Sequence, residues 1–313
     1  MTRLALVTGA TGGLGRTLAP ALRAVGWAVR PTGRRPAAGV IAADLTGPLP
    51  AGLLDGVDTV FHLAALSSPW GRRSVFTAIN VDATAALIDA ATRAGCQRFV
   101  HVSTPSIYIE PRDRLELSEA SLTARRFAND YARTKWLGER IVLAADDAMR
   151  TVVLRPRAIV GPDDAVLLPR LLRLIRRGRV PLPGGGAVTV ELTDARDVAT
   201  ALIAAADAPV GGRAFNISGG APRTLRWIVE RVARALGVQV RIVAVPRRLA
   251  MAGASLLEAA ALVTGREPAL TRYGAMVAGW SQSFDLTAAR DQLGWTPKVS
   301  PEDAIAHALA DAS

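Results

Sequence analysis

Short apolar, β-prone runs alternate with longer Ala- and Leu-rich stretches through the first half of this 313-residue chain. The short runs predict strands at Leu4–Thr8, Trp27–Thr32, Thr59–Ala64, Arg98–Ser103 and Thr151–Arg155. Helical stretches at about 14–25, 81–94 and 128–145 lie between them. Strand–helix alternation of this kind implies βαβ units and a parallel sheet covered on both faces. After Pro156 the pattern loosens. A Pro- and Gly-rich bend over Val180–Gly186 precedes another strand-like run, then a helix at Ala195–Ala206 and further helices at about 224–236, 247–264 and 301–311. Nothing repeats at a fixed period and no low-complexity linker is visible, so the second lobe is expected to pack against the first, with the chain crossing back between them.

Composition narrows the classes. Half the residues are hydrophobic, which supplies a sizeable core and excludes wholesale disorder. The net charge of +11 invites a nucleic-acid reading, but the arginines are scattered rather than interleaved with aromatics on one stripe, and no nucleic-acid partner is expected. The densest run, Arg170 to Arg179, sets five arginines around leucines at helical spacing and reads as the solvated face of an amphipathic helix. Cys96 stands alone, which excludes an internal disulfide and fits a reducing, cytoplasmic location; no secretory leader precedes the first strand. The longest apolar stretch, Leu249 to Val263, is interrupted by Glu258 and is shorter than the roughly 20 residues that span a bilayer. It is expected to be a buried helix or a lid over an apolar pocket, with peripheral membrane contact as the further reading.

Two local patterns carry chemistry. The first strand runs into Thr8-Gly9-Ala10-Thr11-Gly12-Gly13-Leu14-Gly15 and then a helix. Glycines at 9, 12 and 15 permit a tight turn, close approach of backbone to a pyrophosphate and close helix packing, while the helix N-terminus offers unpaired amides to phosphate. The second pattern is Tyr131-Ala132-Arg133-Thr134-Lys135. Lys135 and Lys298 are the only lysines, against 36 arginines, so a lysine here is unusual. Residues i and i+4 share a helix face, and a compact ammonium there would lower a tyrosine pKa towards the range of a general acid or base. The bland alternative is an incidental pair on a surface helix. The three histidines, His62, His101 and His307, lack metal-ligand spacing; His62 and His101 read as packed side chains, and no metal is expected.

Together with Phe61-His62-Leu63-Ala64-Ala65, Asn80-Val81-Asp82, Val102-Ser103-Thr104, Leu154-Arg155-Pro156 and Gly161-Pro162, these motifs resemble the extended short-chain dehydrogenase/reductases over essentially the whole chain. Ser68-Pro69-Trp70-Gly71, Ser103-Thr104-Pro105-Ser106, Arg155-Pro156-Arg157-Ala158-Ile159 and Leu167-Leu168-Pro169-Arg170-Leu171 look most like the 3β-hydroxysteroid dehydrogenase-like group, which includes 2-alkyl-3-oxoalkanoate reductases. The resemblance implies an α/β fold: a doubly wound parallel (Rossmann) sheet with a smaller C-terminal substrate-binding lobe. The dinucleotide-binding domain would occupy 1–160, with the chain returning to it at about 187–218, and 161–313 would be mainly substrate lobe. Tyr131 would relay a proton, Lys135 would lower its pKa and hold the nicotinamide ribose, and Thr104, four residues before Tyr108, would orient the substrate oxygen. Ser103 and Ser106 remain close alternatives for that hydroxyl.

The same resemblance implies cofactor contacts at Gly9, Thr11, Gly12, Gly13, Leu14, Gly15, Leu63, Ala64, Ala65, Tyr131, Lys135, Pro156 and Ile159, with Asp44 and Leu45 as the adenine-contacting pair. Where an NAD-binding acid would stand, the chain has Gly33, followed by Arg34 and Arg35. Guanidinium groups suit a 2′-phosphate, so NADP is favoured over NAD, although an Arg-rich chain would place arginines there anyway. The expected activity is interconversion of a secondary alcohol and a ketone on an apolar substrate, either sterol-like or a long-chain β-keto acid. A nucleotide-sugar epimerase or dehydratase with tightly bound NAD, using Arg170 or another basic side chain of the second lobe for the diphosphate, is the alternative enzyme. A non-catalytic NADP-binding regulatory protein is the alternative of another class. In similar proteins the Tyr-Lys helix and the one starting near Val81 form a homodimer interface, for which Ala83, Ala85, Ala86 and Ala90 would allow close packing.

Overall fold

The computed structural model describes residues 2–164 and 167–310. Seven parallel strands make the central sheet: β1 (Leu4–Thr8), β2 (Ala28–Gly33), β3 (Ile41–Ala42), β4 (Thr59–His62), β5 (Arg98–Val102), β6 (Arg150–Pro156) and β7 (Arg213–Ile217). Their spatial order is β3-β2-β1-β4-β5-β6-β7. Strand order therefore reverses between β1 and β4, and the crevice at their carboxyl ends is where doubly wound sheets bind ligands. Register brings Thr8 level with both Thr32 and His62, and His62 level with His101.

The helices are α1 (Gly13–Ala24), α2 (Arg73–Thr77), α3 (Ala83–Arg93), α4 (Asp130–Ala144), α5 (Leu168–Arg176), α6 (Ala195–Asp207), α7 (Leu225–Ala235), α8 (Arg247–Thr264), α9 (Arg272–Gly279), α10 (Thr287–Leu293) and α11 (Pro301–Leu309). Successive side chains of β1 serve opposite layers: Ala5 and Val7 pack with Leu18, Leu22, Val198 and Leu202 of α1 and α6, whereas Leu6 packs with Leu87, Ile88 and Val142 of α3 and α4. A second core joins Leu172 and Ile175 of α5, Val229 and Val232 of α7, and Ile305 of α11. The arginines of α5 point outwards while Leu168, Leu172 and Ile175 are buried, as the amphipathic spacing predicts.

Four expectations are corrected. The helix expected from about 81 begins at Arg73 and runs to Arg93 through a π-turn at Ala78–Asp82; the charged Arg72 and Arg73 conceal its start. The stretch Val180–Gly186 is not wholly a bend. Arg179–Pro183 is a strand paired in parallel with Arg241–Val245, and the turn is confined to Gly184–Gly186, where all three glycines have positive φ. Prolines fit there because the pair has open edges. Strand β7 goes unpredicted because Arg213 and Asn216 interrupt its apolar run. Lastly, α8 is no core helix: it buries Ala250, Ala254 and Ala261 and leaves Leu249, Leu256, Leu262 and Val263 more than 60% exposed. The helical run Arg73–Arg93 is long and apolar enough to cross a membrane by length and composition, with mean hydropathy 1.2, and packs against α4. Residue 311, the last of the expected terminal helix, lies outside the described residues.

Candidate active site

The glycine loop is built by close approach. Gly9 has φ +69°, and a Cβ there would stand 2.9 Å from the Ala64 amide nitrogen. A Cβ on Gly15 would fall 2.4 Å from the Gly9 carbonyl oxygen, and one on Gly13 would fall 2.7 Å from the Asp163 carbonyl oxygen. The Gly12 amide donates to the Gly9 carbonyl at 3.0 Å, closing the turn. Helix α1 then starts at Gly13 with no side-chain cap and no acid in its first turn. Helices α4, α6, α7, α9 and α11 are capped by Asn129, Asp194, Thr224, Thr271 and Ser300, whereas α5, α8 and α10 share the uncapped start, so it is the glycine cradle that sets α1 apart. The α1 amides are left for an anion, and the cradle is one a side chain would fill, so the loop fits a dinucleotide pyrophosphate.

Thr8 fixes the facing wall of this crevice. Its Oγ1 accepts from the Leu63 and Ala64 amides at 3.2 Å and lies 2.8 Å from His62 Nδ1. The other ring nitrogen of His62 meets Thr84 Oγ1 at 3.0 Å, and burial pushes the imidazole pKa down to about 3, with Lys135 adding to the effect. Asn80, inside the π-turn, accepts from the Leu66 amide at 2.8 Å and donates to Thr134 Oγ1 at 3.1 Å. It thereby ties the loop after β4 to the helix that carries Tyr131. Helix α4 comes so near that a Cβ on Gly138 would sit 2.5 Å from the Asn80 carbonyl oxygen.

Tyr131 and Lys135 share one face of α4, whose Asn129 cap accepts from the Ala132 amide at 2.9 Å. Thr104 and Ser67 stand close enough to the Tyr131 hydroxyl to pull its pKa down. Thr104 Oγ1 donates to Ser106 Oγ at 3.0 Å, and Ser106 Oγ lies 2.9 Å from the Tyr273 hydroxyl of α9. The hydroxyls of Thr104, Ser106 and Tyr273 therefore form a chain beside Tyr131. Ser103 faces away from it, donating to Glu139 Oε2 at 2.7 Å. Glu139 also accepts from Arg155 Nε at 3.0 Å, and Arg155 donates in addition to the Tyr108 hydroxyl. Of the three hydroxyls the sequence leaves open, Thr104 is the one that meets Tyr131.

One electrostatic expectation is overturned. Tyr131 sits above the ordinary phenol value of 10.0, chiefly through burial and then through Tyr273; Thr104 and Ser67 pull it back only in part. Lys135 is not among the groups that shift it; Lys135 is itself desolvated, being 2% exposed, and burial brings its pKa down to about 7, against an upward pull from Glu139. Its Nζ lies 3.3 Å from His101 Nε2. Burial, Lys135 and His62 hold His101 well below its ordinary value, so a neutral ring accepts from the ammonium. His101 is thus more than a packing residue.

The other predicted contacts line the crevice unevenly. Leu63, Ala64 and Ala65 follow β4, and Pro156 is buried at the end of β6, with Ile159 half-buried beyond it. Thr11 and Leu14 are half-buried in the glycine loop, and a Cβ on Gly33 would meet Thr11 Oγ1 at 3.0 Å. Arg34 and Arg35 are exposed beyond β2 and make no hydrogen bond among the described residues. The Asp44 carboxylate accepts from the Thr46 amide and hydroxyl at 3.0 and 2.7 Å, with Leu45 half-buried beside it. Arg170 is exposed and paired with Glu267 at 2.6 Å. A cleft of about 590 Å³ beside α5, lined by Arg173, Arg176 and Arg177, contains none of the Tyr131 cluster. Sequence reasoning misses Ser67 and Tyr273 altogether, because nothing local marks either one.

The sequence profile of the NAD dependent epimerase/dehydratase family matches residues 5–218. The chain belongs to this family. Members similar to it include the protein YbjS of Escherichia coli K12, 34% identical over 96% of this chain and 95% of that one. The 2-alkyl-3-oxoalkanoate reductase of Shewanella oneidensis is 31% identical over 96% of this chain and 84% of that enzyme. Among solved structures, MoeE5 in complex with UDP-glucuronic acid and NAD superposes with TM-score 0.78 at 26% identity, over 98% of both chains. This NAD dependent epimerase/dehydratase family member is accordingly an NAD(P)-dependent short-chain dehydrogenase/reductase of the extended type, with the Rossmann sheet that type requires.

Proposed function

We propose that this chain is an NADP(H)-dependent oxidoreductase interconverting a secondary alcohol and a ketone on an apolar substrate, sterol-like or a long-chain β-keto acid. The observation that carries the reading is that Tyr131 and Lys135 share one face of α4 next to Thr104, beside a glycine cradle that fits a pyrophosphate. Gly9, Gly12, Gly13 and Gly15 would hold the pyrophosphate, Arg34 and Arg35 the 2′-phosphate, Asp44 and Leu45 the adenine, and Lys135 the ribose. Leu63, Ala64, Ala65, Pro156 and Ile159 would wall the nicotinamide end. NADP(H), when bound, supplies or accepts the hydride. Tyr131, with its pKa raised, carries its proton at neutral pH and is set to donate it to a carbonyl oxygen. Thr104 orients that oxygen. Residues 1–160 with the return at 187–218 form the cofactor side, and 161–313 mainly the substrate side.

One observation favours a second reading. The superposed MoeE5 structure holds UDP-glucuronic acid and NAD, which suits a nucleotide-sugar epimerase or dehydratase. Against it, Arg170, one of the basic side chains that could meet the diphosphate, is paired with Glu267 at the surface. Binding of NADPH and NADH to the purified protein, followed by turnover on steroid, β-keto acyl and UDP-sugar panels, separates the two. Net cofactor conversion on a β-keto acid or steroid supports the oxidoreductase; turnover only on a UDP-sugar overturns it. We further propose a cytoplasmic homodimer through α3 and α4, in which Ala85, Ala86 and Ala90 remain at least partly accessible while Ala83 is already buried within the chain. Peripheral membrane contact would use the exposed leucines of α8, next to Arg247 and Arg248.

A further inference from the structure

Two arginines stand two residues apart at the end of β6, both buried, with opposite surroundings. Arg155 is fully engaged by Glu139 and the Tyr108 hydroxyl. Arg157 is only 5% exposed, yet its guanidinium makes no hydrogen bond or ion pair among the described residues, and its Nε is buried without a partner. The backbone around it is firmly held: its amide donates to the Ile217 carbonyl at 2.8 Å, and its own carbonyl accepts from Thr193 Oγ1. Ala158, the next residue, has φ +40°, a conformation that a non-glycine residue rarely adopts. A guanidinium cannot shed its charge, so leaving one buried and unpaired is costly unless something arrives to pair with it.

Arg157 directly follows β6 at its carboxyl end, next to β5, which leads into Ser103 and Thr104, and Tyr273 and Glu191 are near enough to act on its charge. Glu191 is turned to other partners, the Ser218 hydroxyl and the Phe284 amide, and forms no ion pair with Arg157. Tyr273 is also a neighbour of Tyr131 and closes the hydroxyl chain through Ser106. The unpaired cation therefore stands at the carboxyl end of the sheet, with Tyr273 of the second lobe nearby. Guanidinium forks match a carboxylate through two parallel hydrogen bonds.

We infer that Arg157 binds a carboxylate on the substrate, close to the carbon that is oxidised or reduced, and so selects 3-oxo acids over neutral ketones. This rests on the oxidoreductase reading and deepens it, since it favours the β-keto acid over a neutral sterol. The acid is the form named for the Shewanella oneidensis relative.

The test uses the full-length protein and a matched set: a long-chain 2-alkyl-3-oxo acid, its methyl ester, and the corresponding neutral ketone, each with NADPH. Wild type is expected to favour the acid over the ester by about 10²-fold or more in kcat/KM, the size of effect that follows when a buried charged donor loses its partner. Arg157→Met should remove that preference by raising KM for the acid, with KM for NADPH and the rate on the neutral ketone unchanged, and Arg157→Lys should restore part of it. Because the variant loses an unpaired buried charge, it should melt no lower than wild type. Equal losses on acid and neutral ketone, a raised KM for NADPH alone, or a lower melting temperature would each overturn the inference. A binding arm is independent of turnover: calorimetric titration of the 2-alkyl-3-hydroxy acid and its ester into the NADPH-loaded and NADP⁺-loaded protein. A wild-type preference for the acid that Arg157→Met abolishes, with no turnover of any ketone, would sustain the carboxylate site and reject the oxidoreductase. No preference in wild type would reject the carboxylate site itself.

Discussion

In the proposed mechanism Tyr131, Thr104 and Lys135 would bear separate parts of the chemistry, and each answers to a separate test. Removing the Tyr131 hydroxyl in Tyr131→Phe is expected to lower turnover by about 10²- to 10⁴-fold while leaving cofactor affinity intact, as for loss of a general acid. Thr104→Ser keeps the hydroxyl next to Tyr131 and should retain most activity, whereas Thr104→Val should lose most of it; equal rates for the two would remove Thr104 from the mechanism. Lys135 has a signature in stability as well. Its pKa falls from 10.5 to about 7 on folding, so the unfolded chain binds more protons across that window. The contribution of the residue is then fully favourable above the unfolded value and lost as pH falls towards 7. Urea unfolding of wild type and Lys135→Met should show wild type gaining on the order of 3 kcal/mol relative to the variant between about pH 7 and pH 9.5. A difference independent of pH would mean that Lys135 is not desolvated. Lys135→Arg should abolish most activity despite keeping the charge, because a planar fork does not fit where Nζ lies 3.3 Å from His101 in a site 2% exposed.

At the scale of elements, the loop after β1 and the contact of α4 with the π-turn hold the site together. Gly15→Ala places a methyl 2.4 Å from the Gly9 oxygen, a clash with backbone that cannot be relieved by rotating a side chain. It should weaken NADPH binding at least tenfold and lower Tm, as read by calorimetry and thermal melting. Glu139→Gln leaves the Arg155 charge uncompensated in a buried place and should destabilise by about 3–5 kcal/mol in urea titration. These elements were unequally legible. The glycine loop, β1 and the Tyr-Lys helix are local patterns, and sequence periodicity places them within a residue or two. Tyr273 and the pairing of Arg179–Pro183 with Arg241–Val245 depend on contacts between residues tens of positions or more apart, which no window can register. The depressed pKa of Lys135 was likewise out of reach, because it comes from burial and not from spacing.

Across the whole molecule, α6 and β7 return to the sheet after only the first part of the second lobe, and α7 to α11 follow them, so β1 and β4 present the cofactor crevice while α9 brings Tyr273 to Ser106. The lobes meet where the hydroxyls of Thr104, Ser106 and Tyr273 are linked beside Tyr131, which is the arrangement the proposed proton relay beside a hydride carrier needs. The most direct test is single-turnover oxidation of NADPH by the purified protein with a 2-alkyl-3-oxo acid, wild type beside Tyr131→Phe. Equimolar loss of NADPH and formation of the 3-hydroxy acid is expected from wild type, with the variant binding NADPH equally well but reacting about 10²- to 10⁴-fold more slowly. No net consumption of NADPH with any ketone, or a Tyr131→Phe variant as fast as wild type, would contradict the account.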